Sequence, residues 1–281
     1  MCLLLFSYQP EKNGLLVVVA NRDEFYDRPS EQAHIWSRES GDEASAGQIL
    51  AGRDLKSKGT WFGINSERNR FAAVTNYRQT DWKMENTAIK SRGDLPVEFL
   101  TSNLDSMTFL GSVQENRTSY NGFNLLVFDG GTLAWYTNRS AEGPKKVDGG
   151  MHGLCNGLLD AAWPKVERGK LMLERRLEED SCIDKHPDES MLDLLLDGTV
   201  PADEELPDTG VGVEMERLLA PVFVSIEGVY GTRCSTLLVM DASGPISFVE
   251  KTHVPADLEP DTVAFDFRRN GPTGSRAKPG S

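Results

Sequence analysis

A cysteine directly follows Met1, and the polar cluster Asn21-Arg22-Asp23-Glu24 closes an apolar run that begins at Leu15. If Met1 is removed, Cys2 carries a thiol and a free α-amine on one residue. An α-amine has an unperturbed pKa of about 7.7–8.0, close to working pH. It can take the thiol proton, directly or through one water, and later protonate a leaving group. That chemistry is acyl transfer without a histidine. Asp23 would orient the amine through a charge-assisted hydrogen bond. Asparagine amides would serve the developing oxyanion, where losing one donor typically costs about 2.7–4 kcal/mol. Plainer roles exist for the same residues. Cys2 also fits a small buried strand position, Asn21 and Asp23 a strand-end turn, and Arg22 with Glu24 an ion pair.

The elements that must position these groups begin with two apolar runs, residues 2–8 and 15–21, with Asn13-Gly14 between them as a hairpin signal. A six-residue loop pairs residues whose numbers sum to 23, and a tight Asn13-Gly14 turn pairs those that sum to 27. Either odd sum puts Cys2, Asn21 and Asp23 on one face and Arg22 on the other. Both runs are apolar on both faces, as strands inside layered structures are.

Further hairpins are expected at GTWFGIN (59–65) with RFAAVTNY (70–77), at 121–138, and at 229–241 with 246–251. A strand is expected at 151–156. Helices are expected within 93–105, over 160–179 with interruptions near Pro164 and Gly169, and over 188–198. Antiparallel hairpins with a few helices make an α+β fold. Doubly apolar strands suggest two sheets packed together with helices outside. One domain over 1–267 is expected, with a disordered tail at 268–281 that lacks apolar residues.

A formal net charge of -13 disfavours nucleic acid as a partner. The cysteines Cys2, Cys155, Cys182 and Cys234 form no CxxC pair, and no histidine stands beside one at zinc-ligand spacing, so no metal is implied. The last three cysteines read as inert. CLLLF is too short for a signal core, and no run approaches a membrane span, so a reduced intracellular compartment is expected. His34 and His152 invite a test as bases or haem ligands, although structural histidines are the commoner case.

Taken together, ANRDEF, GTWFGIN with AAVTNYR, SRGDLP, HGLCNG and YGTRCSTLL resemble the NRDE family of the transport-and-Golgi-organisation type, across roughly residues 1–252. The resemblance implies the N-terminal nucleophile hydrolase fold, a four-layer αββα sandwich of antiparallel sheets. A more distant likeness is to the cysteine N-terminal nucleophile hydrolases that include penicillin V acylase. It implies Cys2 as nucleophile, Asp23 as the amine-orienting carboxylate, Asn76 and Asn156 as amide donors, and Arg233 as the downstream arginine. Asn21, Arg22 and His152 are the accompanying substrate-binding candidates. The arginine that opens the hydrolase stretch is Ala20 in this chain. The implied activity is cleavage of a small linear amide or thioester, with no cofactor. The implied cellular role lies in Golgi organisation, secretion or lipid metabolism. The rival reading is a non-catalytic carrier of haem, lipid or acyl-CoA. The expected location is cytoplasmic, with Golgi or mitochondrial association.

Overall fold

The computed structural model describes residues 2–36, 49–78, 90–179, 189–243, 245–253, 261–268 and 271–277. In chain order the strands begin with β1 (Cys2–Gln9), β2 (Leu15–Phe25), β3 (Ser30–Ile35), β4 (Ile49–Asp54), β5 (Phe62–Asn65) and β6 (Arg70–Asn76). Helices α1 (Asp94–Thr101) and α2 (Ser106–Glu115) follow, then β7 (Phe123–Phe128), β8 (Leu133–Thr137), β9 (Lys145–Lys146) and β10 (Gly150–Leu154). Next come α3 (Pro164–Glu179), a 3-10 helix (Glu189–Leu196), α4 (Val213–Leu219) and β11 (Ser225–Ile226). The chain closes with β12 (Tyr230–Met240), β13 (Ile246–Thr252), β14 (Asp261–Arg268) and β15 (Gly271–Ala277).

Among the described residues all strand pairs are antiparallel, so the fold is α+β as expected. Residues 1–267, read from sequence as one domain, divide into two compact units. The first unit comprises Met1–Asp27, Arg78–Thr80 and Gly149–Ser281; the second comprises Arg28–Tyr77 and Asp81–Asp148. The first holds the sheet β10-β1-β2-β12-β13-β14-β15, with β11 paired to β12. The second holds β3-β4-β5-β6-β7-β8-β9 in sequence order.

Each sheet carries helices on one face. In the first unit, Leu3, Leu5, Val17, Val19, Leu237 and Val239 form that face with Val166 and Leu173 of α3 and Leu195 of the 3-10 helix. Neither feature expected to interrupt α3 does so. Pro164 begins the helix, where its missing N–H costs nothing. At Gly169 a Cβ would stand 2.5 Å from Leu5 Cδ1, so the glycine admits close approach of helix to sheet. In the second unit, Phe99 of α1 and Phe109 and Leu110 of α2 pack on Ala72, Val74, Leu125 and Tyr136. The tail expected to be disordered carries β15, which pairs with β14 through backbone groups and so needs no apolar side chains.

The first hairpin corrects the expected register. Cys2 lies opposite Arg22 and Gln9 opposite Leu15, pairs whose numbers sum to 24. The loop is residues 10–14, a length weighed by neither expectation. Lys12 N donates to Gln9 O at 3.0 Å and Gly14 N to Pro10 O at 3.3 Å, forming one helical turn. Asn13 (φ 56°) and Gly14 (φ 67°) then both adopt the left-handed conformation and return the chain. This even sum reverses the face of every side chain on β2 relative to β1.

Candidate functional site

Residues directly opposite one another in an antiparallel sheet share a face. Cys2, Arg22, Cys234 and Thr252 therefore make one row across β1, β2, β12 and β13. The next row on that face is Leu4, Ala20, Thr236 and Glu250. Arg22, Cys234, Thr236 and Glu250 are buried, and Cys2 is half-buried. A bulge in β12 between Thr232 and Cys234 builds this row. If the Asp23–Thr232 register continued without the bulge, Cys234 would fall opposite Asn21 and point the other way. Two strand spacings separate Cys2 from Cys234, about 10 Å between Cα atoms, too far for a disulfide.

Burial pushes the Cys2 thiol above its ordinary value, and the Asp23 carboxylate adds to the rise while Arg22 opposes it. Burial also pushes Cys234 well up, helped by Glu250 and opposed by Arg22. Cys234, expected in apolar surroundings, has polar neighbours in Arg22, Thr252 and Glu250.

Asn21 and Asp23 occupy the helix-covered face, opposite the expectation that they join Cys2. Asn21 Nδ2 donates to Leu195 O at 3.0 Å and to Val222 O at 2.9 Å. Its Oδ1 accepts from Ser235 Oγ at 2.6 Å. The Asn21 amide thus ties the 3-10 helix to the sheet, which accounts for its burial. Asp23 is 1 % exposed. Its Oδ1 accepts from Thr232 Oγ1 at 2.8 Å, and its backbone carbonyl accepts from Tyr230 Oη at 3.0 Å. Burial raises the Asp23 carboxyl, with the Lys165 ammonium foremost among the groups pulling it down.

Asn156 is fully buried. It lies two residues beyond Leu154, which ends β10 and pairs with Leu4. Its backbone oxygen accepts from Arg78 N at 2.7 Å, and Cys155 Sγ donates to its Oδ1 at 3.2 Å. Arg233 is the bulge residue. Its guanidinium donates to Phe25 O at 2.8 Å and Tyr26 O at 3.2 Å, which closes the end of β2. His152 pairs with Phe6, four residues along β1 from Cys2 and roughly 13 Å away. Its Nδ1 stands 2.7 Å from Asp160 Oδ2, and its ring stacks on Phe6. Asn76 ends β6 in the second unit, opposite Phe123. Cys182 lies outside the described residues. Among the described residues no group of three or more His, Cys, Asp or Glu side chains could hold a metal ion.

Sequence reasoning missed the buried charges around Asp23. Arg78 Nη1 meets Glu216 Oε2 at 2.6 Å, and its guanidinium covers the Trp163 ring at 5.1 Å. Glu216 Oε1 also accepts from Thr209 N at 2.9 Å. Lys165 is 4 % exposed and donates to Leu219 O at 2.8 Å. One signal was available: Lys165, Gly169 and Leu173 recur every four residues, so a lysine sits on the apolar stripe of α3. Arg78 and Glu216 carry no such signal, because their meeting depends on segments far apart in sequence.

The family model described as Transport and Golgi organisation 2 matches residues 1–255. The Transport and Golgi organization protein 2 homolog of Homo sapiens is 33% identical over 288 residues, covering 95% of this chain and 99% of that protein. The Mus musculus homolog is 34% identical over 286 residues, with the same coverage. The Drosophila melanogaster protein is 24% identical over 287 residues, covering 92% of this chain and 94% of its own length. With matches running through both units, this chain belongs to the Transport and Golgi organisation 2 family.

Proposed function

We propose that this chain is an N-terminal-nucleophile acyl-transfer protein of the αββα type, in which Cys2, after removal of Met1, cleaves a small linear amide or thioester. The observation that carries the reading is the row Cys2–Arg22, with Asp23 adjacent in sequence on the opposite face. A thiol projects from one face of a strand, but an α-amine belongs to the backbone and lies near the plane of the sheet. The thiol then has Arg22 beside it, while the amine at the strand end is within the field of Asp23, whose charge already acts on Cys2. In the acylation step Sγ attacks the carbonyl carbon, and the amine takes the thiol proton. Arg22 and the Asn156 amide stabilise the oxyanion. The amine returns the proton to the departing nitrogen or sulfur, and water then cleaves the acyl-enzyme. The part given to Asn76 rests on its place in the AAVTNYR motif.

The cellular setting, by analogy with relatives named for transport and Golgi organisation, is the secretory pathway or the lipid metabolism that serves it. A second reading, a carrier for an acyl-CoA, lipid or haem group, is favoured by two observations. Ala20 stands between Leu4 and Thr236 where the hydrolases have arginine, and burial holds the Cys2 thiol in its protonated form.

The test is intact mass followed by labelling with an acyl-thioester probe. Acyl transfer expects loss of Met1, a hydroxylamine-labile adduct on Cys2 ahead of the other cysteines, and no adduct in Cys2→Ala. A chain that keeps Met1, or that labels equally in Cys2→Ala, leaves the carrier reading.

A further inference from the structure

Among the nearly buried charged side chains of the first unit are Asp23, Arg78, Lys165 and Glu216. Arg78 and Glu216 neutralise each other at 2.6 Å. Lys165 donates to a neutral carbonyl, Leu219 O, so no carboxylate at that hydrogen bond cancels its charge. The course of α3 brings Lys165 toward Asp23. Gly169 sits on Leu5, Val166 on Gly153, and Trp163 on Gly157. The helix start therefore points past Leu154 toward the end of the sheet that holds Cys2 and Asp23. Lys165 lies one turn before Gly169 on the same stripe, and Asp23 faces the helix-covered side.

We infer that Lys165 is a positioning residue for the acyl-transfer site, its buried ammonium keeping Asp23 ionised so that the carboxylate can hold the Cys2 α-amine. The inference rests on the roles proposed above for Cys2 and Asp23. A carboxyl with 1 % exposure and no nearby cation takes up a proton rather than stay charged in a dry site. A neutral Asp23 would accept weakly from an ammonium and lose its hold on the orientation of Cys2. The pull of Lys165 on Asp23 agrees with this placement. Lys165 touches neither substrate nor the reacting atoms and acts through Asp23 alone.

The experiment is a titration of the Asp23 side-chain carboxyl by carbon NMR in the full chain, assigned with Asp23→Asn. It compares wild type with K165M, K165Q and K165R. Removing the charge is expected to raise the Asp23 midpoint by about one unit or more, the usual effect of losing a close opposite charge. K165R is expected to stay near wild type. An unchanged midpoint in folded K165M and K165Q overturns the inference. A parallel pH profile of Cys2 labelling should move upward in K165M and recover in K165R. If the Asp23 midpoint moves but Cys2 in wild type labels no faster than the other cysteines, the acyl-transfer reading fails and the action of Lys165 on Asp23 survives it.

Discussion

Arg22 stands between two thiols in one row, and its charge lowers both against the rise that burial imposes. Replacing it by Met should slow alkylation of Cys2 about tenfold at neutral pH, since the thiolate loses one of the cations that stabilise it. Arg22→Lys should recover part of the rate. Equal rates in wild type and Arg22→Met, read by mass spectrometry on Cys2, would remove Arg22 from the site. A second residue-level expectation concerns His253. Ser235 Oγ donates to Asn21, so the Ser235–His253 bond at 2.8 Å is donated by His253 Nε2. Burial lowers His253 from 6.5 to about 4, so the folded chain keeps it neutral. Between those values the unfolded chain binds a proton that the folded chain does not. Stability is therefore lost as pH falls from about 6.5 toward 4. Denaturant midpoints at pH 7 and pH 5 should differ more in wild type than in H253Q, and parallel losses would refute the assignment.

Strands and loops were legible to different degrees, for identifiable reasons. The hairpins at 59–77, 121–138 and 229–251 follow from apolar runs flanking turn residues, and each is present. Helix α2 went unread because Ser106–Glu115 mixes Gly111, Thr108 and Ser112 among its apolar positions. The register of β1 on β2 depended on one loop residue, because Asn13 takes the left-handed conformation alongside Gly14. That single residue decided which of Arg22 and Asp23 faces the Cys2 side. Close approaches between motifs are also invisible in sequence. A Cβ at Gly59 would lie 2.4 Å from the backbone C and O of Gly93, and Thr60 N donates to Gly93 O at 3.0 Å. GTWFGIN and SRGDLP are thus joined backbone to backbone ahead of β5 and α1. Gly59→Ala should destabilise the chain by about 1–3 kcal/mol, since backbone cannot swing aside as a side chain would. An unchanged thermal midpoint would show that the Gly93 turn relaxes.

At the level of the whole chain, composition constrains partners more firmly than it constrains chemistry. Cys2, Arg22 and Asp23 are three residues among 281, and no bulk property marks them. Their arrangement came from register, which alternation restricts but a loop length decides. The charge of -13, by contrast, acts on every polyanion the chain meets. An anionic bilayer attracts basic residues by roughly 1 kcal/mol each near its surface and repels acidic ones comparably. Among the described residues, no helix is long and apolar enough to cross a membrane. Exposed apolar side chains such as Val213, Met215 and Leu218 do occur on α4. The exposed Glu214 is interleaved with them, which opposes an anionic surface. Sedimentation with phosphatidylserine vesicles at low salt should therefore recover the chain in the supernatant, and raising the salt should not reduce any residual binding. Binding that is strong at low salt and lost at about 0.15 M would refute this, because such screening identifies a basic patch strong enough to override the acidic excess.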